Sequence, residues 1–116
     1  MEKAESWLYK ALHYRFNDTR LLAQALTHRS ADRLNNERLE YLGDAVLDAI
    51  VADYLYNRFP AGDEGFMTKL RARIVKRKTL NYLATKIEIP GMIAQLGIPG
   101  NKSKYLYGNA LEALMG

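Results

Sequence analysis

The sequence predicts a single all-α domain. Apolar residues recur at helical spacing through almost the whole chain, and the alternating pattern of a half-buried strand is absent. The 116 residues are enough for one hydrophobic core and too few for two. A content of 48% hydrophobic and 26% charged residues is ordinary for a folded protein. We therefore expect one helical domain over residues 1–116.

Composition also narrows the functional classes. The chain has no cysteine, so any metal ion must be held by oxygen or histidine ligands, and a reducing compartment is expected. The N-terminus is charged and no apolar run approaches the length of a membrane span. These features predict a cytoplasmic protein with no membrane partner.

Capping residues and helix breakers divide the chain into elements. A first helix is expected from about Glu2 to Leu12, and Asn17-Asp18 offers an N-cap for a second helix from Thr19 to Thr27. A third helix from about Asn36 to Phe59 would be roughly 36 Å long, and Pro60 would stop it. Asp63 can then cap a fourth helix, which is basic and ends near Lys76.

The third helix is predicted to be the spine of the domain. Gly43 in its interior costs about 1 kcal/mol relative to alanine, which indicates close approach of another backbone or a ligand. The helix is apolar on most sides, so other helices should wrap it. The residues available for burial are Leu39, Leu42, Val46, Leu47, Ile50, Val51 and Leu55.

Three segments complete the prediction. Thr79 can cap a fifth helix that runs to Lys86. Residues 90–102 contain two prolines and three glycines, which predicts a loop. A last helix is expected to begin near Tyr105.

Three carboxylates form one stripe on the third helix. Glu37, Glu40 and Asp44 are spaced i, i+3, i+7, so they lie on neighbouring turns of one face. Crowded acids repel one another unless a cation intervenes, which favours a divalent-metal site. The alternative is a solvated face on which Glu37 or Glu40 forms salt bridges with Arg33, Arg38 or Lys69.

The last helix offers a second pair of ligands. Asn109 and Glu112 are spaced i, i+3 and project from one face. If this face meets the acidic stripe, four oxygen ligands converge, and oxygen ligands suit a hard cation such as Mg²⁺. These candidate ligands are Glu40, Asp44, Asn109 and Glu112.

Positive charge is concentrated after the third helix. The chain has a formal net charge of +4, and six basic residues fall within ten positions. Such a cluster can attract a phosphate backbone, although charge alone favours a solvated helix face. This basic cluster consists of Lys69, Arg71, Arg73, Lys76, Arg77 and Lys78.

Several motifs occur in order along nearly the whole chain, from about Leu12 onward. The stretch Asn36-Glu37-Arg38-Leu39-Glu40-Tyr41-Leu42-Gly43-Asp44-Ala45 resembles the signature of the ribonuclease III family, the double-stranded RNA endonucleases that include Dicer and Drosha. The other matching motifs are Leu26-Thr27-His28-Arg29-Ser30, Arg58-Phe59-Pro60, Asp63-Glu64-Gly65, Leu70-Arg71-Ala72 and Leu111-Glu112-Ala113-Leu114.

The resemblance implies the helical fold of the ribonuclease III endonuclease domain, here short at its C-terminal end and without a double-stranded RNA-binding domain. It implies divalent-metal-dependent cleavage of double-stranded RNA by a homodimer. The expected products carry 5′-phosphate and 3′-hydroxyl ends with two-nucleotide 3′ overhangs.

The resemblance also assigns the principal site residues. Asp44 and Glu112 are expected to be catalytic, and with Glu40 and Asn109 they would hold Mg²⁺ or, as a substitute, Mn²⁺. The family usually has aspartate at the position of Asn109. A neutral amide still offers an oxygen, but it removes one negative charge and should weaken metal binding.

Other positions take supporting roles by the same resemblance. Glu37 and Glu64 match two accessory acids near the catalytic valley. Tyr41 matches an aromatic residue that inserts into the partner subunit, with an ordinary core aromatic as the alternative. His28 is expected to be structural. The basic residues expected to bind RNA are Lys69, Arg71, Arg73 and Lys76.

Two functions of different class remain open. The acids Glu40, Asp44, Glu64 and Glu112 favour a magnesium-dependent endoribonuclease, because a binding module has no reason to keep mutually repelling acids. Asn109 and the short C-terminus favour a catalytically impaired module that binds structured RNA or an assembly partner.

Overall fold

The computed structural model describes residues 2–98 and 106–116. Within these residues the protein is all-helical, which confirms the predicted fold class. No described helix is long and apolar enough to cross a membrane. The helices are α1 (Glu2–Leu12), α2 (Thr19–Ala25), α3 (Glu37–Arg58), α4 (Glu64–Ile74), α5 (Arg77–Lys86), α6 (Ile89–Gln95) and α7 (Leu106–Met115).

Local capping determines the helix starts in the first half of the chain. Asp18 caps α2 by accepting a hydrogen bond from the backbone N–H of Arg20 at 3.0 Å. Asp63 caps α4 in the same way, with the backbone N–H of Phe66 as donor at 2.8 Å. The helix α3 starts and ends one residue inside its predicted bounds. Both predicted aspartate caps are confirmed.

Two predicted boundaries in the second half are wrong. Lys76 is the N-cap residue of α5, and Thr79 lies inside that helix, where its hydroxyl donates to the backbone oxygen of Arg73 at 3.3 Å. The helix α6 lies in the segment predicted as loop. Pro90 is tolerated there because it occupies the first turn, where its missing N–H would have no helical partner. Residues 96–98 are non-helical, as predicted, and the remaining loop residues 99–102 and Tyr105 lie outside the described residues.

The buried centre of the domain is α7 rather than α3. The helix α7 packs against α3 and α5 and also contacts α2 and α6. The buried residues of α3 are Gly43, Val51 and Leu55, whereas Leu42 and Ile50 are 48% and 49% exposed. The prediction that other helices wrap α3 is therefore wrong for the described residues. Six of the ten residues of α7 are buried: Leu106, Gly108, Ala110, Leu111, Glu112 and Ala113.

The apolar core of the domain packs against α7. Side chains from α1, α2, α5 and α6 surround it, and the indole Nε1 of Trp7 donates to the backbone oxygen of Ile87 at 2.5 Å. This bond joins α1 to the junction of α5 and α6. The core residues are Ala4, Trp7, Leu8, Leu22, Leu26, Leu80, Ala84, Ile89, Met92, Ile93, Ala110 and Leu111.

Candidate active site

Asn36 fixes the start of α3, the helix that carries the acidic stripe. Its side chain is only 1% exposed and donates to the backbone oxygen of Ala25 at 3.0 Å. Its backbone N–H donates to Thr27 at 2.9 Å, and its carbonyl accepts from the N–H of Glu40 at 2.7 Å. Asn36 therefore ties the end of α2 to the first turn of α3 and sets the position of Glu40.

Gly43 brings α3 and α7 into backbone contact. A β-carbon on Gly43 would overlap the carbonyl oxygen of Glu112, and it would lie 2.5 Å from the carbonyl carbon of that residue. The close approach predicted from this interior glycine is confirmed. Because Asp44 follows Gly43 on α3, the contact brings the faces carrying Asp44 and Glu112 together.

A second close contact holds α7 against α5. The backbone N–H of Gly108 donates to the side-chain oxygen of Asn81 at 2.8 Å. A β-carbon on Gly108 would lie 2.5 Å from that oxygen. Since α5 begins at Arg77, this packing also brings Arg77 to the face of α7 that carries Asn109 and Glu112.

These contacts enclose a polar cavity of about 510 Å³ between α3, α5, α7 and the segment before α3. Four of the five predicted acids and the predicted amide ligand line it. The lining residues are His28, Arg29, Asn36, Glu37, Glu40, Tyr41, Asp44, Arg77, Asn109 and Glu112.

Arg77 occupies the acidic side of this cavity. Its Nη1 atom donates to the Oδ1 of Asn109 at 2.7 Å and also to the Oε1 of Glu112. The Glu112 side chain is 1% exposed, whereas that of Arg77 is 36% exposed. The guanidinium thus neutralises a buried carboxylate from the solvent side of the cavity.

The carboxyls in the cavity have perturbed proton affinities. Burial raises the pKa of Glu112 to about 7, the neighbouring Asp44 raises it as well, and the Arg77 guanidinium opposes both effects. Burial also raises the pKa of Glu40, while the positive charge of Arg77 lowers it and the negative charge of Glu37 raises it. A nearby cation would stabilise the ionised forms of these carboxyls and so lower their pKa values.

The four candidate ligands line one cavity, but their carboxylates do not converge on a single point. In residues 2–98 and 106–116, no three His, Cys, Asp or Glu side chains lie close enough to hold one ion. The salt-bridge alternative also fails over these ranges, because neither Glu37 nor Glu40 pairs with Arg33, Arg38 or Lys69. The ion pair found in the cavity joins Glu112 to Arg77.

Glu64 is the acid that the structure does not bring to this cavity. It lies in the first turn of α4 and lines a separate cavity with Asp53 and Tyr56 of α3. Asp53 is thirteen residues beyond Glu40, about 20 Å along the helix axis. In the described fold, Glu64 is therefore too far away to share an ion with Glu40.

Tyr41 projects into solvent at the edge of the cavity. Its side chain is 83% exposed, which excludes a core role in the described fold. The basic residues expected to bind RNA lie on α4 and at the start of α5, where Lys69, Arg73 and Lys76 are exposed and Arg71 is half-buried.

Sequence reasoning placed Arg77 only in the basic cluster and missed its position among the acids. The available signal was weak, since nothing local distinguishes it from Lys76 or Lys78. Its position depends on how α5 packs on α7. His28 was expected to be structural, and its Nδ1 lies 2.8 Å from the Ser30 hydroxyl oxygen, but its ring also lines the cavity.

Similarity to known proteins extends over nearly the whole chain. A family model described as Ribonuclease-III-like matches residues 18–116. The chain belongs to the ribonuclease III family. The predicted family resemblance is therefore confirmed. Ribonuclease 3 of Phocaeicola vulgatus is 46% identical over 121 residues, which cover 97% of this chain and 39% of that protein. Ribonuclease 3 of Sulfurovum sp. is 45% identical over 116 residues, covering 96% and 52%. This ribonuclease III family chain thus spans about two fifths to one half of these relatives.

A solved structure from the same family has the same fold. The nuclease domain of ribonuclease III from Campylobacter jejuni superposes with a TM-score of 0.82 at 38% sequence identity, covering 93% of this chain and 79% of that one. That structure is described as flexible in a region involved in dimer formation.

Proposed function

We propose that residues 1–116 form a ribonuclease III endonuclease domain that cleaves double-stranded RNA with the help of a divalent metal ion. The cleavage would leave 5′-phosphate and 3′-hydroxyl ends with two-nucleotide 3′ overhangs. The observation that carries this proposal is the cavity in which α3 and α7 present Glu40, Asp44, Asn109 and Glu112 together. Family membership and the similarity to a nuclease domain support it.

The chemistry of the lining residues fits a hard divalent cation. Three carboxylates and one amide supply oxygen ligands, which Mg²⁺ and Mn²⁺ accept, and the chain has no thiolate to favour a softer metal. The raised pKa values of Glu40 and Glu112 support the same view, because a cation would stabilise their ionised forms.

Each residue would contribute in a way that follows from its surroundings. Glu112 and Asn109 line the cavity from α7, and Glu40 lines it from α3, so their oxygens could hold the ion between the two helices. Asp44 is exposed and lies beside Glu112, so it can orient a water molecule for attack on the phosphate. When bound, Mg²⁺ would polarise that water and neutralise the developing charge on the phosphate.

The surface around the cavity supports RNA as the substrate. Lys69, Arg73 and Lys76 are exposed and can contact phosphates, while an A-form duplex is recognised mainly by shape and backbone. The exposed ring of Tyr41 supports a homodimer in which it packs on a partner copy. In such a dimer Glu64, which lies outside the cavity that holds Glu112, would act as an accessory acid.

The test is cleavage of a long RNA duplex in Mg²⁺ and in Mn²⁺ by the unchanged chain, Asn109→Asp and Glu112→Gln. We expect two-nucleotide 3′ overhangs from the unchanged chain. Asn109→Asp should reach half-maximal cleavage at lower Mg²⁺, because it adds a negative charge. Glu112→Gln should be inactive while keeping a native circular dichroism spectrum. Cleavage that survives Glu112→Gln would overturn the proposed site.

A second candidate function is a non-catalytic module that binds structured RNA. Two observations favour it: Asn109 is neutral, and Arg77 already neutralises Glu112. The same experiment separates the two functions. If folded Asn109→Asp also fails to cut while the unchanged chain retards the duplex in a gel, the binding module is the correct function.

A further inference from the structure

Arg77 contacts the two candidate ligands on α7 through a single nitrogen. The Nη1 atom donates to the Oδ1 of Asn109 at 2.7 Å and to the Oε1 of Glu112. The arginine therefore binds the oxygens that a divalent ion would use, and it does so from the open side of the cavity. The other candidate ligands, Glu40 and Asp44, line the same cavity from α3.

A bound guanidinium and a bound divalent ion are mutually unfavourable at this place. They compete for the same oxygen lone pairs, and their positive charges repel at short range. Arg77 has room to leave, because its side chain is 36% exposed, whereas Glu112 at 1% exposure cannot follow it into solvent. Asn109 makes departure easier, since a neutral amide holds a guanidinium less strongly than a carboxylate does.

We propose that Arg77 is an internal counter-cation that stabilises Asn109 and Glu112 in the metal-free protein and must release both before a divalent ion binds. This inference rests on the proposed function, because the ion site is the one proposed above. Arg77 is then a positioning residue whose charge sets the metal affinity. Once Arg77 has moved away, Asn109 and Glu112 would be free to hold the ion, whose charge would then neutralise Glu112.

The test is calorimetric titration of the full chain with Mn²⁺ in the absence of RNA. We expect Arg77→Gln to lower the Mn²⁺ Kd roughly tenfold, the size expected for removing one charge beside a charged site. Arg77→Lys keeps the positive charge at this position, so its Mn²⁺ Kd should stay within about twofold of that of the unchanged chain. Lys78→Gln is the matched control, because it removes one exposed charge at the next position of α5 and lines no part of the cavity, so its Kd should not change.

An unchanged or higher Kd in folded Arg77→Gln would overturn the proposal, as would no detectable binding by either chain. A second measurement needs no variant that alters the charge. In the unchanged chain, Mg²⁺ should shift the Arg77 Nε–H resonance, assigned by its loss in Arg77→Lys, and speed its exchange with water. A resonance that stays constant at saturating Mg²⁺ would also overturn the proposal.

These outcomes are independent of catalysis. If Arg77→Gln binds Mn²⁺ more tightly and no chain cuts RNA, the counter-cation is established and the endonuclease fails. If the unchanged chain cuts RNA and Arg77→Gln leaves the Kd unchanged, the endonuclease stands and the counter-cation is rejected.

Discussion

Gly43 of α3 lies directly against the backbone carbonyl of Glu112 in α7. The two helices that carry the candidate ligands are therefore in contact at a point without a side chain, one residue from Asp44. Any atom added there must move α7 relative to α3. The spacing of the two halves of the site is thus set by backbone packing, and the acids themselves do not determine it.

Gly43→Ala should destabilise the fold and reduce cleavage. The added methyl overlaps the Glu112 carbonyl, and overpacking of this kind costs about 1–3 kcal/mol or more. Gly91→Ala is the matched control, because Gly91 has nothing within 4 Å of its β-carbon position and lies in a helix, where alanine should add about 0.5–1 kcal/mol. Urea denaturation measures both free energies of unfolding. Equal stability of Gly43→Ala and the unchanged chain would contradict the close contact.

The metal-free protein should lose stability as the pH rises through the neutral range. Burial raises the pKa of Glu112 from its ordinary value of 4.5 to about 7 in the folded protein, so between these values the folded state binds more protons than the unfolded state. The free energy of unfolding therefore falls from about pH 5 to about pH 7, by up to about 3 kcal/mol from this group. The raised pKa of Glu40 acts in the same direction.

Glu112→Gln should remove most of this decline and be more stable than the unchanged chain at pH 8. Urea denaturation in EDTA at pH 5 and pH 8 measures the effect, with Glu64→Gln as an exposed control outside the cavity. The unchanged chain should also gain more stability from Mn²⁺ at pH 8, where Glu112 is ionised, than at pH 5. A decline that persists in Glu112→Gln would assign the titration to another group.

Tyr41→Ala should weaken dimerisation and leave the folded monomer intact. The ring is 83% exposed, so the monomer loses little packing, but an aromatic residue buried in a partner typically contributes about 2 kcal/mol or more. Sedimentation equilibrium measures the dimer dissociation constant of each variant. Tyr82→Ala is the control, because it removes another exposed ring, 59% accessible, from α5. Equal association of both variants would exclude Tyr41 from the interface.

Exposed residues of the basic cluster should set the salt dependence of RNA binding. The slope of log K against log salt is negative. Removing one phosphate contact, as in Arg73→Gln, should make this slope less steep by about one. The measurement is duplex binding between low and moderate salt in a Glu112→Gln background, which prevents cleavage. Lys3→Gln, on α1 and outside the basic cluster, is the control. Identical slopes for the two substitutions would remove Arg73 from the RNA surface.

The parts of the fold that local chemistry decides were predictable from the sequence. The caps Asp18 and Asp63 and the breaker Pro60 placed the ends of α2, α3 and α4 within two residues. Pro90 misled the prediction, because a proline in a first turn starts a helix as readily as it stops one. Which apolar face is buried was less predictable, and α7 proved to be the centre because its neighbours pack around it.

In the candidate site, too, the local arrangement was predictable from the sequence, whereas the packing between helices was not. Helical spacing alone grouped Glu40 with Asp44 and Asn109 with Glu112, and the structure brings the two pairs to one cavity. Their meeting depends on contacts distant in sequence. Arg77 enters the cavity because Gly108 lets α5 approach α7, a relation that no window of neighbouring residues contains.

Trp7 is an intrinsic fluorescent probe of whether the domain is folded. It is the single tryptophan of the chain, it is buried in the core, and its indole is bonded to the junction of α5 and α6. It lines no part of the cavity that holds Glu112. Its fluorescence should therefore follow melting of the domain and stay silent when ions or charges change at the acids. A variant with reduced cleavage activity but unaltered tryptophan emission is therefore still folded and has lost only its catalytic function.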